Sequence, residues 1–206
     1  MTSFDEVREW LGQTDIYVLD QVMRGRLRPS MRVLDAGCGD GRNLELLLRV
    51  GVNVHAVDQS ERGVAQVGRR AAELAPVLDP ENFRVEPIEA LSFEDATFDA
   101  VLCIAALHFA RDAAHFDAML RELWRVLLPG GLLIARLATT IGVAEHVAPL
   151  GGGRYRMGDG TERYLVDAGT LLATTEALGG VLHDPLKTTV VRNERAMTTW
   201  VVCKRS

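Results

Sequence analysis

The chain has 206 residues, 48% of them apolar and 25% charged, with 23 basic against 28 acidic side chains and a net charge of −5. That length supports one domain burying roughly 70% of the surface its unfolded form exposes, and the ordinary polar balance excludes a mainly disordered chain. The negative charge gives no general attraction to phosphate backbones, no stretch reaches the roughly 18 apolar residues of a membrane span, and Cys38, Cys103 and Cys203 make neither a C-x-x-C pair nor a disulfide framework.

Between residues 5 and 26, apolar side chains at Val7, Trp10, Leu11, Val18, Leu19, Val22 and Met23 recur every three or four positions, which predicts one or two amphipathic helices closed by Pro29. Residues 1–28 are expected to cap a single domain spanning 1–206, and the acids Asp5, Glu6, Glu9 and Asp15 speak against a secretory signal. Arg24, Arg26, Arg28 and Arg32 read as a solvated helix end. The next predicted elements are a buried strand over 32–36, a helix over 42–50 stopped by Gly51, and a second strand over 52–57.

A helix over 61–74, a third strand over 83–88 and a turn at Asp95-Ala96-Thr97 follow. The near-continuous apolar run 98–104 predicts a central strand covered on both faces, and the core is also the place expected for Cys103 within it. Residues 114–127 form an amphipathic helix, Pro129-Gly130-Gly131 a turn, and 132–137 a fifth strand. After a helix over 168–178, the runs 186–191 and 197–202 are joined by so short a polar link that they must form an antiparallel hairpin. The expected fold is therefore a Rossmann-like, doubly wound α/β sheet, mostly parallel and seven-stranded, with a C-terminal antiparallel hairpin. Residues 139–164 carry Gly142, Gly151, Gly152, Gly153, Gly158 and Gly160 with no dominant period, and read as either a lid insert or a surface loop.

Chemistry concentrates at Val33-Leu34-Asp35-Ala36-Gly37-Cys38-Gly39-Asp40-Gly41-Arg42-Asn43, a strand running through a glycine loop into a helix. The third glycine comes one position earlier than in the dinucleotide pattern G-x-G-x-x-G. Asp35 and Asp40 surround the loop with negative charge, which opposes a pyrophosphate and suits a ligand carrying an ammonium and a sulfonium, such as S-adenosylmethionine. About 20 residues further on, Asp58 stands at a strand tip, where an acid can hold both hydroxyls of a ribose or cap the next helix.

With the glycine loop, Asp58, the Leu91-Ser92-Phe93 and Phe98-Asp99 segments and Leu128-Pro129-Gly130-Gly131, the chain resembles the class I S-adenosylmethionine-dependent methyltransferases of the small single-domain kind. The resemblance implies that Gly37, Cys38 and Gly39 approach the methionine part of the cofactor, that Asp35 orients its amino group, that Asp58 accepts the ribose hydroxyls, and that Gln59 lies beside adenine. Proline appears in Glu86-Pro87-Ile88-Glu89-Ala90 where the family often has an acid, leaving adenine to Glu89 or to the backbones of Ile88 and Glu89; Ile104 completes the expected cofactor set.

In-line methyl transfer needs alignment above all, with a general base only for some acceptors. His108, in the loop after the fourth strand, is the candidate base, with packing over the cofactor as its other reading, and His115 is expected on a helix surface. Trp10, Tyr17, Arg154, Tyr155 and Tyr164 are the candidate acceptor-pocket residues, a mixture suited to a planar or anionic small molecule. The expectation is a cytoplasmic methyltransferase acting on a small-molecule acceptor, with no metal, nucleic acid or membrane partner. The alternatives are a protein or RNA methyltransferase and a non-catalytic adenosyl-cofactor-binding regulatory module.

Overall fold

The computed structural model describes residues 3–206, so residues 1 and 2 of the expected cap lie outside the described residues. The cap is two helices, α1 (Phe4–Leu11) and α2 (Ile16–Met23). Gly12 ends the first, and Asp15 begins the second by accepting a hydrogen bond from the Tyr17 N–H at 2.9 Å.

The central sheet runs in the order β10-β11-β5-β4-β1-β2-β3. Its strands are β1 (Arg32–Ala36), β2 (Asn53–Asp58), β3 (Phe83–Val85), β4 (Phe98–Ile104), β5 (Leu127–Ala138), β10 (Lys187–Val191) and β11 (Arg195–Lys204). β1 to β5 pair in parallel and β11 runs antiparallel to both β5 and β10. An eighth strand, β9 (Gly180–Leu182), pairs with β11 beside the expected seven.

Both faces are covered, as alternation along β4 shows. Ala100, Leu102 and Ile104 join the core beneath α2, α3 (Glu45–Arg49) and α4 (Glu61–Leu74), while Val101 and Cys103 join the core beneath α5 (Ala113–Val126) and α6 (Ala168–Ala177). Burial raises the thiol pKa of Cys103.

Three elements differ from expectation. α3 starts at Glu45 instead of residue 42, because the chain turns twice first: the Gly41 N–H donates to Cys38 O at 3.0 Å and the Leu44 N–H to Gly41 O at 2.9 Å. β3 stops at Val85, just before Glu86-Pro87. Pro129-Gly130-Gly131 is a bulge inside β5 and not a turn ahead of it, since the register with β4 jumps from Phe98↔Leu127 to Ala100↔Leu132.

The glycine-rich insert is also more ordered than its sequence shows. β6 (Ala148–Gly151), β7 (Arg154–Arg156) and β8 (Glu162–Tyr164) form a separate antiparallel sheet over a small core of Val143, Val147, Met157 and Leu165. Strands of three or four residues are too short to print an alternation on the sequence.

Candidate active site

The glycine loop is pinned to the end of β2: the Gly37 and Cys38 N–H groups both donate to Val57 O, at 2.8 and 3.0 Å. Gly37 has φ +78°, and a Cβ there would lie 2.5 Å from the Ala106 Cβ in the loop after β4. Only glycine allows both the left-handed turn and this close approach. A Cβ at Gly63 would come as near to Gly39 O, so α4 presses its first turn against the loop; this second requirement for glycine was not foreseen from the sequence.

Asp58 ties the two strand ends together. Its Oδ2 accepts from the Gly39 N–H and its Oδ1 from the Ser60 N–H, both at 2.8 Å, leaving further lone pairs on each oxygen toward the cleft. The helix cap is Ser60, whose Oγ accepts from the Gly63 N–H, so the capping alternative for Asp58 does not hold.

These strand ends border a cleft of about 510 Å³, well within the range of small-molecule sites. Gly37, Cys38, Gly39, Asp58, Gln59, Ile88, Glu89 and Ile104 all face it. Asp35 is the one expected cofactor residue that does not, being fully buried beneath the loop. Sequence reasoning missed Glu86, Ala106, Phe109, Arg111, His115 and Met119 along the same wall. His115 was expected on a helix surface, yet it reaches inward from the first turn of α5. Its Nδ1 accepts from the Arg111 N–H at 3.1 Å and its Nε2 lies 3.0 Å from Glu89 Oε1. Burial acts to raise the Glu89 pKa, but a backbone hydrogen bond, His115 and Arg111 outweigh it and hold the carboxyl below its usual range.

Neither Asp35 oxygen has a hydrogen-bond partner among the described residues. Burial pushes its pKa up to about 7, against the pull of Arg42 and with a further push from Asp58. An unpaired buried carboxylate at a cradle that a Cβ would fill fits a cationic, phosphate-free ligand such as S-adenosylmethionine. So does the rim, where Asp40, Asp58, Glu86 and Glu89 outnumber Arg42 and Arg111. Cys38 is no nucleophile, because burial together with Asp35 and Asp58 raises its thiol pKa.

A second chamber of about 320 Å³ adjoins the cleft and shares Arg42 and Ala105 with it. Ala105 sits at φ +63°, a strained angle for a residue with a side chain, held by its N–H donating to Arg136 O at 2.7 Å. His108 borders this chamber. Its Nδ1 accepts from the Ala138 N–H at 3.2 Å, and burial with the charges of Arg163 and Arg136 lowers its pKa to about 4. The ring is therefore neutral with its proton on Nε2, a hydrogen-bond donor and not the base expected from the sequence.

None of the five candidate acceptor residues borders the cleft or the chamber. Trp10 is half exposed, and Arg154 lies 3.6 Å from Glu162. Tyr155 packs on the core of the insert, and Tyr164 is buried against the Phe116 ring at 5.1 Å. The Tyr17 hydroxyl bonds Thr189, while its ring lies 5.0 Å from the Arg136 guanidinium. The insert instead contributes Met157, Asp159, Thr161 and Arg163 to the chamber. The cap is held beside it through Asp15, whose N–H donates to Asn43 Oδ1 at 2.9 Å and whose Oδ2 lies 3.1 Å from the Arg136 guanidinium.

Residues 34–135 match the family model described as a methyltransferase domain. A ubiquinone biosynthesis O-methyltransferase of Methylocella silvestris is 43% identical over 106 residues, 52% of this chain and 39% of that protein. Another, of Xanthomonas campestris pv. campestris, is 28% identical over 203 residues and is covered over 80% of its length. Among solved structures, the 1,6-didemethyltoxoflavin-N1-methyltransferase of Burkholderia thailandensis, crystallised with S-adenosylhomocysteine, superposes with a TM-score of 0.71 at 19% identity, covering 98% of this chain and 83% of that one. Residues 34–135 form a methyltransferase domain of the class I S-adenosylmethionine-dependent kind, and S-adenosylmethionine is its cofactor.

Proposed function

We propose that this protein transfers the methyl group of S-adenosylmethionine to a small-molecule acceptor by in-line displacement. The observation that carries the reading is that the glycine-loop cleft shares two wall residues, Arg42 and Ala105, with a second chamber of small-molecule size. The similarity to enzymes named for ubiquinone biosynthesis supports a small organic acceptor over a macromolecule.

When bound, the cofactor supplies an electrophilic methyl group on a sulfonium, whose departing thioether needs no acid. The chain's own residues then have to bind and orient. Asp58 offers its free lone pairs to vicinal hydroxyls, and Asp35, ionised on binding, balances an ammonium. Glu89, fixed by His115, faces the adenine end with Ile88. The Nε2–H of His108 donates a hydrogen bond into the acceptor chamber. The whole chain acts as one domain, with residues 139–164 as the lid over that chamber and residues 3–28 as its flank. With Cys38, Cys103 and Cys203 all free, a reducing cytoplasm is the compartment proposed.

Calorimetry with S-adenosylmethionine, S-adenosylhomocysteine and NAD is expected to show binding of the first two alone. A labelled-methyl assay on a cell extract split by size should then place label in the small-molecule fraction. Label confined to protein or RNA would overturn the choice of acceptor, and a cofactor that binds without any transfer would favour a regulatory module.

A further inference from the structure

The chamber beside the cofactor cleft has a charge that methyl transfer itself does not call for. Arg42, Arg136, Arg163 and Arg195 come to it from the glycine loop, β5, β8 and β11. Two carboxylates face these four cations from outside the glycine loop, while Asp35, which Arg42 also reaches, lies buried beneath it on the cofactor side. Asp15 lies 3.1 Å from the Arg136 guanidinium and 3.8 Å from that of Arg42. Asp159 feels Arg163 and Arg195, but its Oδ1 is engaged by the N–H and hydroxyl of Thr161.

The positive excess is matched by unused donors. Arg136 Nε is buried with no partner among the described residues. Arg163 donates to the Glu162 carbonyl and lies over the Phe109 ring at 4.7 Å, and neither it nor Arg195 forms an ion pair among the described residues. His108, 6% exposed, spends Nδ1 on the backbone and keeps an Nε2–H on the chamber side. Met157, Met197 and Val191 give the same space an apolar wall. Leaving several cationic donors together around one cavity costs free energy unless an anion satisfies them.

Resting on the methyltransferase reading, we infer that the acceptor is an anionic small molecule, whose carboxylate or phosphate is held by Arg136, Arg163 and Arg195 while its apolar body lies along Met157 and Met197. The excess of two positive charges suits an anion of charge one or two. Arg42 and Ala105, common to cleft and chamber, place the acceptor's other end beside the cofactor.

The test is calorimetric titration of the protein, saturated with S-adenosylhomocysteine, with benzoate, phenyl phosphate and the uncharged isostere benzamide. Benzoate, phenyl phosphate or both should bind about tenfold or more tighter than benzamide, and the better of the two identifies the anion. The preference should shrink about tenfold in Arg163→Gln or in Arg195→Gln, and stay unchanged in Arg154→Gln, whose side chain lies outside the chamber. Equal affinity for benzamide overturns the inference. So does no binding of any probe while S-adenosylhomocysteine binds, or a preference retained in both chamber variants. Failure of S-adenosylhomocysteine to bind would instead overturn the methyltransferase reading, and an anion preference that survived it would leave the chamber's assignment standing.

Discussion

The cofactor cleft takes most of its wall from the ends of β1, β2 and β4 and from loops of a few residues each, whereas the second chamber gathers side chains from Arg42 to Met197 across the glycine loop, β4–β5, the insert and the C-terminal hairpin. The first uses backbone amides, glycines and acids, and the second uses long cationic side chains. A site made from backbone is specified by local turn chemistry, while a site made from distant side chains depends on the fold having formed around it. The geometry of the cleft is therefore fixed locally, and that of the chamber only by the fold as a whole.

The sharpest way to break this contrast is at Gly37. Gly37→Val places a branched side chain at φ +78° against Ala106, and S-adenosylhomocysteine affinity should fall by more than about a hundredfold with circular dichroism unchanged. Retained binding would mean that the loop is not a rigid cradle.

Asp35 offers the next largest effect, and its sign runs against the usual carboxylate. Its folded pKa of about 7 exceeds the unfolded value, so the folded protein takes up a proton between roughly pH 4 and 7 and loses stability as pH rises through that window. At pH 8 the ionised, unpaired group costs roughly 4 kcal/mol. Urea denaturation of Asp35→Asn should match the wild type at pH 4 and exceed it by about that amount at pH 8, while its cofactor affinity falls. Equal stability at both pH values would show that Asp35 is not the strained group. In the wild type, cofactor affinity should rise with pH through about 7 as the carboxylate ionises.

Asp58→Asn keeps the shape and removes charge-assisted acceptance, so S-adenosylhomocysteine should bind about ten- to a hundredfold more weakly by calorimetry. In the chamber, His108→Asn should lower kcat on the acceptor by about tenfold at most, where loss of a general base costs about a hundredfold or more. No limb of the pH–rate profile should follow this ring, and a limb removed by the substitution would restore the base assignment. The smallest effect is expected of Arg154→Gln, whose half-exposed pair with Glu162 lies outside both cavities. A change in KM beyond about twofold would return Arg154 to the acceptor site.

What could be read from the sequence follows the same division. The succession of strands and helices, the two-sided cores and the cleft-lining positions Gly37 to Gly39, Asp58, Gln59, Ile88, Glu89 and Ile104 lie within short windows whose periodicity and turn residues carry the signal. His115 and Met119 escaped because a helix pattern shows which face is apolar and not which end meets a cleft. The candidate acceptor residues were misplaced for a related reason: aromatic side chains drew attention within the insert, but Tyr164 packs on the main core and Tyr155 on the insert's own, and it is Arg163, paired with Tyr155 across β7 and β8 and unremarkable in sequence, that reaches the chamber. β6 to β8 escaped because their strands are shorter than any period that would reveal them.

Thr139 and Val166 form a parallel bridge, and the Thr140 N–H donates to Val166 O at 3.0 Å, so the segment between them leaves the main sheet and returns to it almost at the same point. Closing a loop whose ends are already fixed together costs only about 0.6 kcal/mol more for each doubling of its length. A change in the length of this stretch therefore costs little in closure, and its main cost is the packing of Tyr164 and Val166 on the main core and of the small core beneath β6 to β8. Met157, Asp159, Thr161 and Arg163 thus enter the chamber from a stretch anchored at a single point of the sheet, while the rest of the chamber wall and the glycine loop are held by the sheet itself.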